Sequence, residues 1–94
     1  MSDAAKLQAK LHRCLGSEAR LNILVVLQKG PQRVVDLAGE TNLSVSRASA
    51  ELQTLASAGL VDFTQNGSSR AYFLVEPLHP IVEATLAQMA VSCP

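Results

Sequence analysis

The chain has 94 residues, 48% of them apolar and 17% charged, and its eight Lys and Arg side chains are balanced by eight Asp and Glu. That length suits a single domain, since domains usually run about 100 to 150 residues, and it is too short for two. No apolar run exceeds the five residues of Ile23 to Leu27, far below the roughly 20 needed to span a bilayer, and no charged-then-apolar leader opens the chain. A soluble, cytoplasmic protein with no membrane partner is expected, with an apolar surplus that an oligomer interface would absorb.

The neutral balance by itself argues against a nucleic-acid partner, because neutralising phosphate takes Lys and Arg. The distribution is uneven, however. Basic residues fall between Lys6 and Arg20, at Lys29 and Arg33, at Arg47 and at Arg70, whereas beyond Arg70 the charged side chains are Glu76 and Glu83.

In chain order, Leu7, Leu11 and Cys14 recur at i, i+4 and i+7 with Lys6, Lys10 and Arg13 between them, which predicts an amphipathic helix over residues 3–14. Gly16 and Ser17 interrupt it, with Ser17 placed to cap a second helix. That helix runs to about Gln28, turning Leu21, Leu24, Val25 and Leu27 to the core, and Gly30-Pro31 stops it. A short helix over residues 33–41 buries Val34, Leu37 and Ala38. Asn42 can turn the chain in a left-handed conformation without a glycine. Ser44 then caps a fourth helix with Val45, Ala48, Leu52 and Leu55 on one side, ending at Gly59. Two helices joined by three or four residues have the spacing of a helix-turn-helix.

Past Gly59 the pattern becomes strand-like. Residues 60–64 and 71–75 are rich in β-branched and aromatic side chains, and the Asn66-Gly67 pair in the loop between them is a strong hairpin signal. Pro77 and Pro80 precede a last helix in which Val82, Leu86, Met89 and Cys93 continue an apolar stripe. The expected fold class is mostly α with a small β-hairpin, in the order α-α-α-α-β-β-α.

Three stretches carry a resemblance. Leu15-Gly16-Ser17-Glu18-Ala19-Arg20-Leu21-Asn22-Ile23-Leu24 leads into the second helix. Asp36-Leu37-Ala38, the run from Leu43 to Leu52, and Leu55-Ala56-Ser57-Ala58-Gly59-Leu60-Val61 form the middle block. Gly67-Ser68-Ser69-Arg70-Ala71-Tyr72-Phe73 forms the hairpin. Together they resemble the winged helix-turn-helix domain of the ArsR family of bacterial repressors. The resemblance implies a winged-helix domain over residues 1–94, with dimerisation helices at 1–15 and 80–94, a helix-turn-helix at 33–58 and a wing at 60–75. It implies a homodimer whose partner is double-stranded operator DNA, and a repressor released by an inducer.

The physics of the block agrees with that implication. Ser44, Ser46, Arg47, Ser49, Ala50 and Gln53 lie at the start or on the polar side of the fourth helix, the part that reaches base edges in a docked helix-turn-helix. Arg47 is the long cationic donor there and the leading base reader, since Arg to guanine is the commonest specific pairing. The serines would bond phosphates or bases, and Arg70 on the wing would contact backbone in the adjacent groove. Ala50 and Glu51 depart from the family pattern, which often has polar or basic residues there. Glu51 would repel phosphate, but it follows Arg47 by four residues, so a helical ion pair could hold it aside.

The family's metal-ligand positions are not filled. Its thiolate pair on the first helix of the motif maps onto Arg33 and Val35, and its last-helix pattern onto Pro77, His79, Ala90 and Cys93, so no cofactor or metal is expected. His12 and Cys14 could supplement Cys93 in a non-standard, metal- or metalloid-responsive site. His79 reads as a cap of the last helix. Cys14 and Cys93 lie on the two apolar stripes that the resemblance assigns to the dimer interface, which makes them candidates for a thiol, redox or reactive-sulfur switch, the alternative being two inert buried thiols. There is no nucleophile-base set or phosphate-binding glycine loop, so an enzyme is not expected. A winged-helix protein-interaction module without DNA binding is the other class.

Overall fold

Local chemistry sets the helix boundaries. The computed structural model describes residues 3–92, with side chains as far as residue 89. Its elements are α1 (Asp3–Leu15), α2 (Glu18–Leu27), β1 (Gln32–Arg33), α3 (Val34–Thr41), α4 (Val45–Ser57), β2 (Val61–Asn66), β3 (Ser69–Leu74) and α5 (Pro80–Ser92). Ser17 and Ser44 sit in extended conformation ahead of α2 and α4, and the hydroxyl of each accepts the amide three residues on, from Arg20 at 3.3 Å and Arg47 at 3.0 Å. Each bond satisfies one of the donors that a helix start leaves open.

α3 and α4 end in the same way on different residues. After α4 the Gly59 amide bonds Ala56 and the Leu60 amide bonds Leu55, both at 3.0 Å. After α3 the Asn42 amide bonds Gly39 at 3.4 Å and the Leu43 amide bonds Ala38 at 2.9 Å. This paired closure needs one residue at positive φ, supplied by Gly59 (φ 79°) and by Asn42 (φ 58°), the non-glycine type that tolerates it best. The expected turn at Asn42 is therefore present.

The sheet exceeds expectation by one strand. β2 and β3 pair antiparallel from Val61 with Leu74 to Asn66 with Ser69, leaving Gly67 and Ser68 as a two-residue connection. Gly67 has φ 66°, the positive value that the first loop residue of a type II′ hairpin requires. β1 adds to the other edge of β3, Gln32 against Tyr72 and Arg33 against Ala71, giving the order β1-β3-β2. Arg33 was expected inside the third helix. It is instead extended (φ −78°, ψ 154°) and precedes α3.

One core joins all the layers: Leu11 and Cys14 from α1, Ile23, Leu24 and Leu27 from α2, Leu37 from α3, Leu52 and Leu55 from α4, Tyr72 from the sheet, and Val82 and Leu86 from α5. Three expectations about facing are corrected. α2 buries Ile23 and Val26 more deeply than Leu21 and Val25, because it is covered by α1, α3, α4, α5 and β3 and no longer has a single inner face. Val45 is 50% exposed, since the first turn of α4 projects past the core. Leu7 is 46% exposed, because α1 packs inward only from Leu11 onward. No helix among the described residues is long and apolar enough to cross a membrane.

Leu52 is fully buried at the junction of α4 with the rest of the core. Leu52→Ala is expected to cost about 2–5 kcal/mol, read as a lower urea midpoint at unchanged m-value. A loss below roughly 0.5 kcal/mol, the range of an ordinary surface substitution, would contradict this packing.

Candidate nucleic-acid interface

The three residues Asn42, Leu43 and Ser44 bring α4 round across α3 and leave its first turn at the surface. Ser44, Ser46, Arg47, Ala50 and Gln53 are exposed and Ser49 is half-buried, while Ala48, Leu52 and Leu55 on the opposite side are buried. The structure thus gathers all six expected α4 residues at one helix end and its outward face. No acidic residue occupies the first turn of α4, so the positive end of the helix dipole faces outward uncancelled, an arrangement suited to phosphate.

Glu51, the residue that fitted a DNA-facing helix least well, points the other way. It is buried, 7% exposed, at the position beside Ala48, Leu52 and Leu55 on the inner stripe. One carboxylate oxygen, Oε2, accepts from both Nε and Nη2 of Arg47 at 3.3 Å. The other, Oε1, accepts from Nε of Arg20 on α2 at 3.3 Å. Arg20 in turn donates through Nη1 to the carbonyls of Arg13 at 2.9 Å and Cys14 at 3.3 Å, which close the end of α1. Among the described residues no buried side-chain polar atom lacks a partner, as a buried carboxylate demands. Sequence reasoning found the Arg47–Glu51 pair but missed Arg20. The available signal was that Glu51 lies at i+3 from Ala48 and one residue before Leu52, on the apolar stripe, where a carboxylate needs a cation from another element.

Arg70 stands on the wing as expected. Gln65 and Arg70 are paired across the hairpin, Arg70 Nε donates to Gln65 Oε1 at 3.0 Å, and the guanidinium lies 4.3 Å from the centroid of Phe63. Phe63 rests in turn on buried Tyr72, ring centroids 5.3 Å apart. A ring and a neutral amide therefore steady the cation and leave its charge intact.

Arg33 and Val35, where the resemblance would put a thiolate pair, do not fit a metal. Arg33 pairs with Asp36 at 3.1 Å, Val35 is 64% exposed, and neither side chain has a donor atom for a metal. His79 Nδ1 accepts the Ile81 amide at 3.2 Å, the capping role expected of it at the start of α5. No group of three His, Cys, Asp or Glu able to hold a metal occurs among the described residues. Cys14 is buried as expected, 3% exposed, whereas Cys93 lies outside the described residues.

A helix laid across its predecessor by a tight turn and followed at once by a hairpin is a winged helix-turn-helix. The family model for bacterial regulatory proteins of the arsR family matches residues 17–62. The HTH-type transcriptional regulator Rv0324 of Mycobacterium tuberculosis is 36% identical over 64 residues, which cover 68% of this chain and 28% of that protein, so the chain spans little more than a quarter of that relative's length. Among solved structures, the homodimeric winged helix-turn-helix DNA-binding domain of a possible ArsR-family transcriptional regulator from Mycobacterium bovis is 29% identical, with a TM-score of 0.77, covering 98% of this chain and 86% of that one. HlyU from Vibrio cholerae is 25% identical with a TM-score of 0.79, covering 98% and 97%. Over residues 17–62 the chain thus belongs to the arsR family of bacterial transcriptional regulators.

Replacing the cap should loosen the first turn of α4 without touching the core. Ser44→Ala is expected to lower stability by about 1 kcal/mol, while Ser46→Ala changes it by less than roughly 0.5 kcal/mol. Chemical denaturation of the two variants checks this, and equal effects would remove the assigned cap.

Proposed function

We propose that the chain is a dimeric transcriptional repressor that reads operator DNA with the exposed face of α4. Arg47 pairs with a base in the major groove, Ser44, Ser46, Ser49 and Gln53 contact bases or phosphates, Ala50 keeps the close surface small, and Arg70 follows the backbone in the adjacent groove. The observation that carries this is the polar, acid-free end of α4, left exposed while the other side of the helix is fully packed. The solved relative described as a homodimeric DNA-binding domain supports the same reading.

In this reading residues 33–58 form the helix-turn-helix, 60–75 the wing, and 1–15 with 80–94 the dimer helices, in a single cytoplasmic domain. α1 and α5 pack together, and Leu7 remains 46% exposed on α1, an apolar contact left for a second copy. Release from DNA is assigned to the thiols of Cys14 and Cys93. A peroxide would join the two sulfurs in a disulfide, the thiols giving up two protons and two electrons and the peroxide leaving as water. Cys14 belongs to the same helix end whose carbonyls hold Arg20, so a change there reaches α4 through Glu51.

Binding of duplex DNA should weaken steeply as salt rises, with each neutralised phosphate adding about −0.9 to the slope of log K against log salt. A protein-interaction module without DNA binding would show no such salt-dependent affinity for duplex DNA. Arg47→Ala should cost about 1–3 kcal/mol on the preferred sequence, with a much smaller loss on unrelated DNA; fluorescence anisotropy at two salt concentrations reads both.

Mild peroxide should abolish DNA binding by the native chain and leave Cys14→Ser unaffected. Mass spectrometry should find Cys14 linked to Cys93. Loss of binding by Cys14→Ser under the same treatment would remove the thiol switch and leave the DNA-reading assignment standing.

A further inference from the structure

The carboxylate of Glu51 takes only one edge of the Arg47 guanidinium. Arginine offers five N–H donors in a rigid planar fork, and both contacts with Glu51 run from the side edge, Nε and Nη2, to the single oxygen Oε2. The terminal edge formed by Nη1 and the second hydrogen of Nη2 remains open on a side chain that is 58% exposed. Two parallel donors on that edge match the O6 and N7 acceptors of guanine. Glu51 itself cannot swing toward DNA, because its other oxygen is held by Arg20 and Arg20 is held by the two carbonyls that end α1. Arg20 also balances the charge of Glu51, so the three side chains together keep one positive charge.

Resting on the DNA-reading assignment above, we propose that Glu51 and Arg20 are positioning residues for base reading, Glu51 gripping the side edge of Arg47 and Arg20 locking Glu51, so that the terminal edge of Arg47 is aimed at a guanine. The carboxylate that looked like an obstacle to DNA binding is then the support of its reading residue. Entropy explains the benefit. A free arginine must freeze several torsions on meeting a base, whereas one already held along its side edge has less freedom to lose.

The test uses the full-length chain and a duplex selected by it from a random-sequence library. Each guanine of that duplex is replaced in turn by 7-deazaguanine, which lacks the N7 acceptor, and the ratio of affinities for unsubstituted and substituted duplex is measured. Native protein should discriminate by about tenfold at one guanine per half-site, and Arg47→Ala should not discriminate there. Glu51→Gln and Arg20→Gln should each bring the ratio down to roughly two- to threefold, the double variant should lose no more than Glu51→Gln alone, and Arg20→Lys should recover part of the ratio.

Thermal unfolding is followed in parallel. A merely structural role for Glu51 and Arg20 lowers the melting temperature and weakens both duplexes equally, and an unchanged ratio in Glu51→Gln and in the milder Arg20→Lys and Arg20→Gln variants overturns the proposal. Failure of the underlying assignment looks different, with no sequence enriched from the library or native discrimination retained by Arg47→Ala.

Discussion

A single buried carboxylate, Glu51, decides how α4 is held. Removing a carboxylate from water costs several kcal/mol unless charge and hydrogen bonds replace the solvent, and here each oxygen meets an arginine from a different direction. Arg20 anchors it to α2 and, through two carbonyls, to the end of α1; Arg47 returns the connection to the exposed face of α4. Hydrophobic packing by Leu52 and Leu55 fixes how deep α4 lies. The ion triad fixes its rotation about its own axis, because turning Glu51 outward would strand Arg20 and expose a negative charge on the outward face of α4. Such a buried network is a poor source of net stability and a good source of orientation.

Much of this architecture was legible locally. Ser17, Ser44 and Asn42 mark helix ends by chemistry that acts within a few residues, and the structure has them in those roles. The hairpin was legible too, although its strands run closer to Gly67 than the composition suggested. What was hidden depends on distant partners. β1 is two residues of extended chain with no periodicity to detect, defined only by Tyr72 and Ala71 opposite it. Val45 fits the apolar spacing of α4, yet there is no core left to cover the first turn. Arg20 looked like one basic residue among several until the fold placed it beside Glu51. The six α4 candidates were legible as a set, because the first turn and outward face of one helix form a local pattern; the support behind them was not.

The match to the family model has a boundary that fits this division. Residues 17–62 include Arg20, Arg47 and Glu51 together with α2, α3 and α4. α1, most of the wing and α5 lie outside it. The matched segment is therefore the part that holds and presents α4, and it includes Arg33, paired with Asp36, and exposed Val35. The triad reaches beyond the matched segment at one place, where Arg20 bonds the carbonyls of Arg13 and Cys14. A movement of α1 can reach α4 there without passing through the hydrophobic core.

In the proposed reading the outward face of α4 and the wing meet DNA as one surface. Amide chemical-shift mapping of the full chain during titration with duplex DNA at low salt tests it most directly. The largest changes should fall on residues 44–53 and 65–70 and fade together as salt is raised. Changes concentrated on α1 and α5, or none at either set, would contradict it.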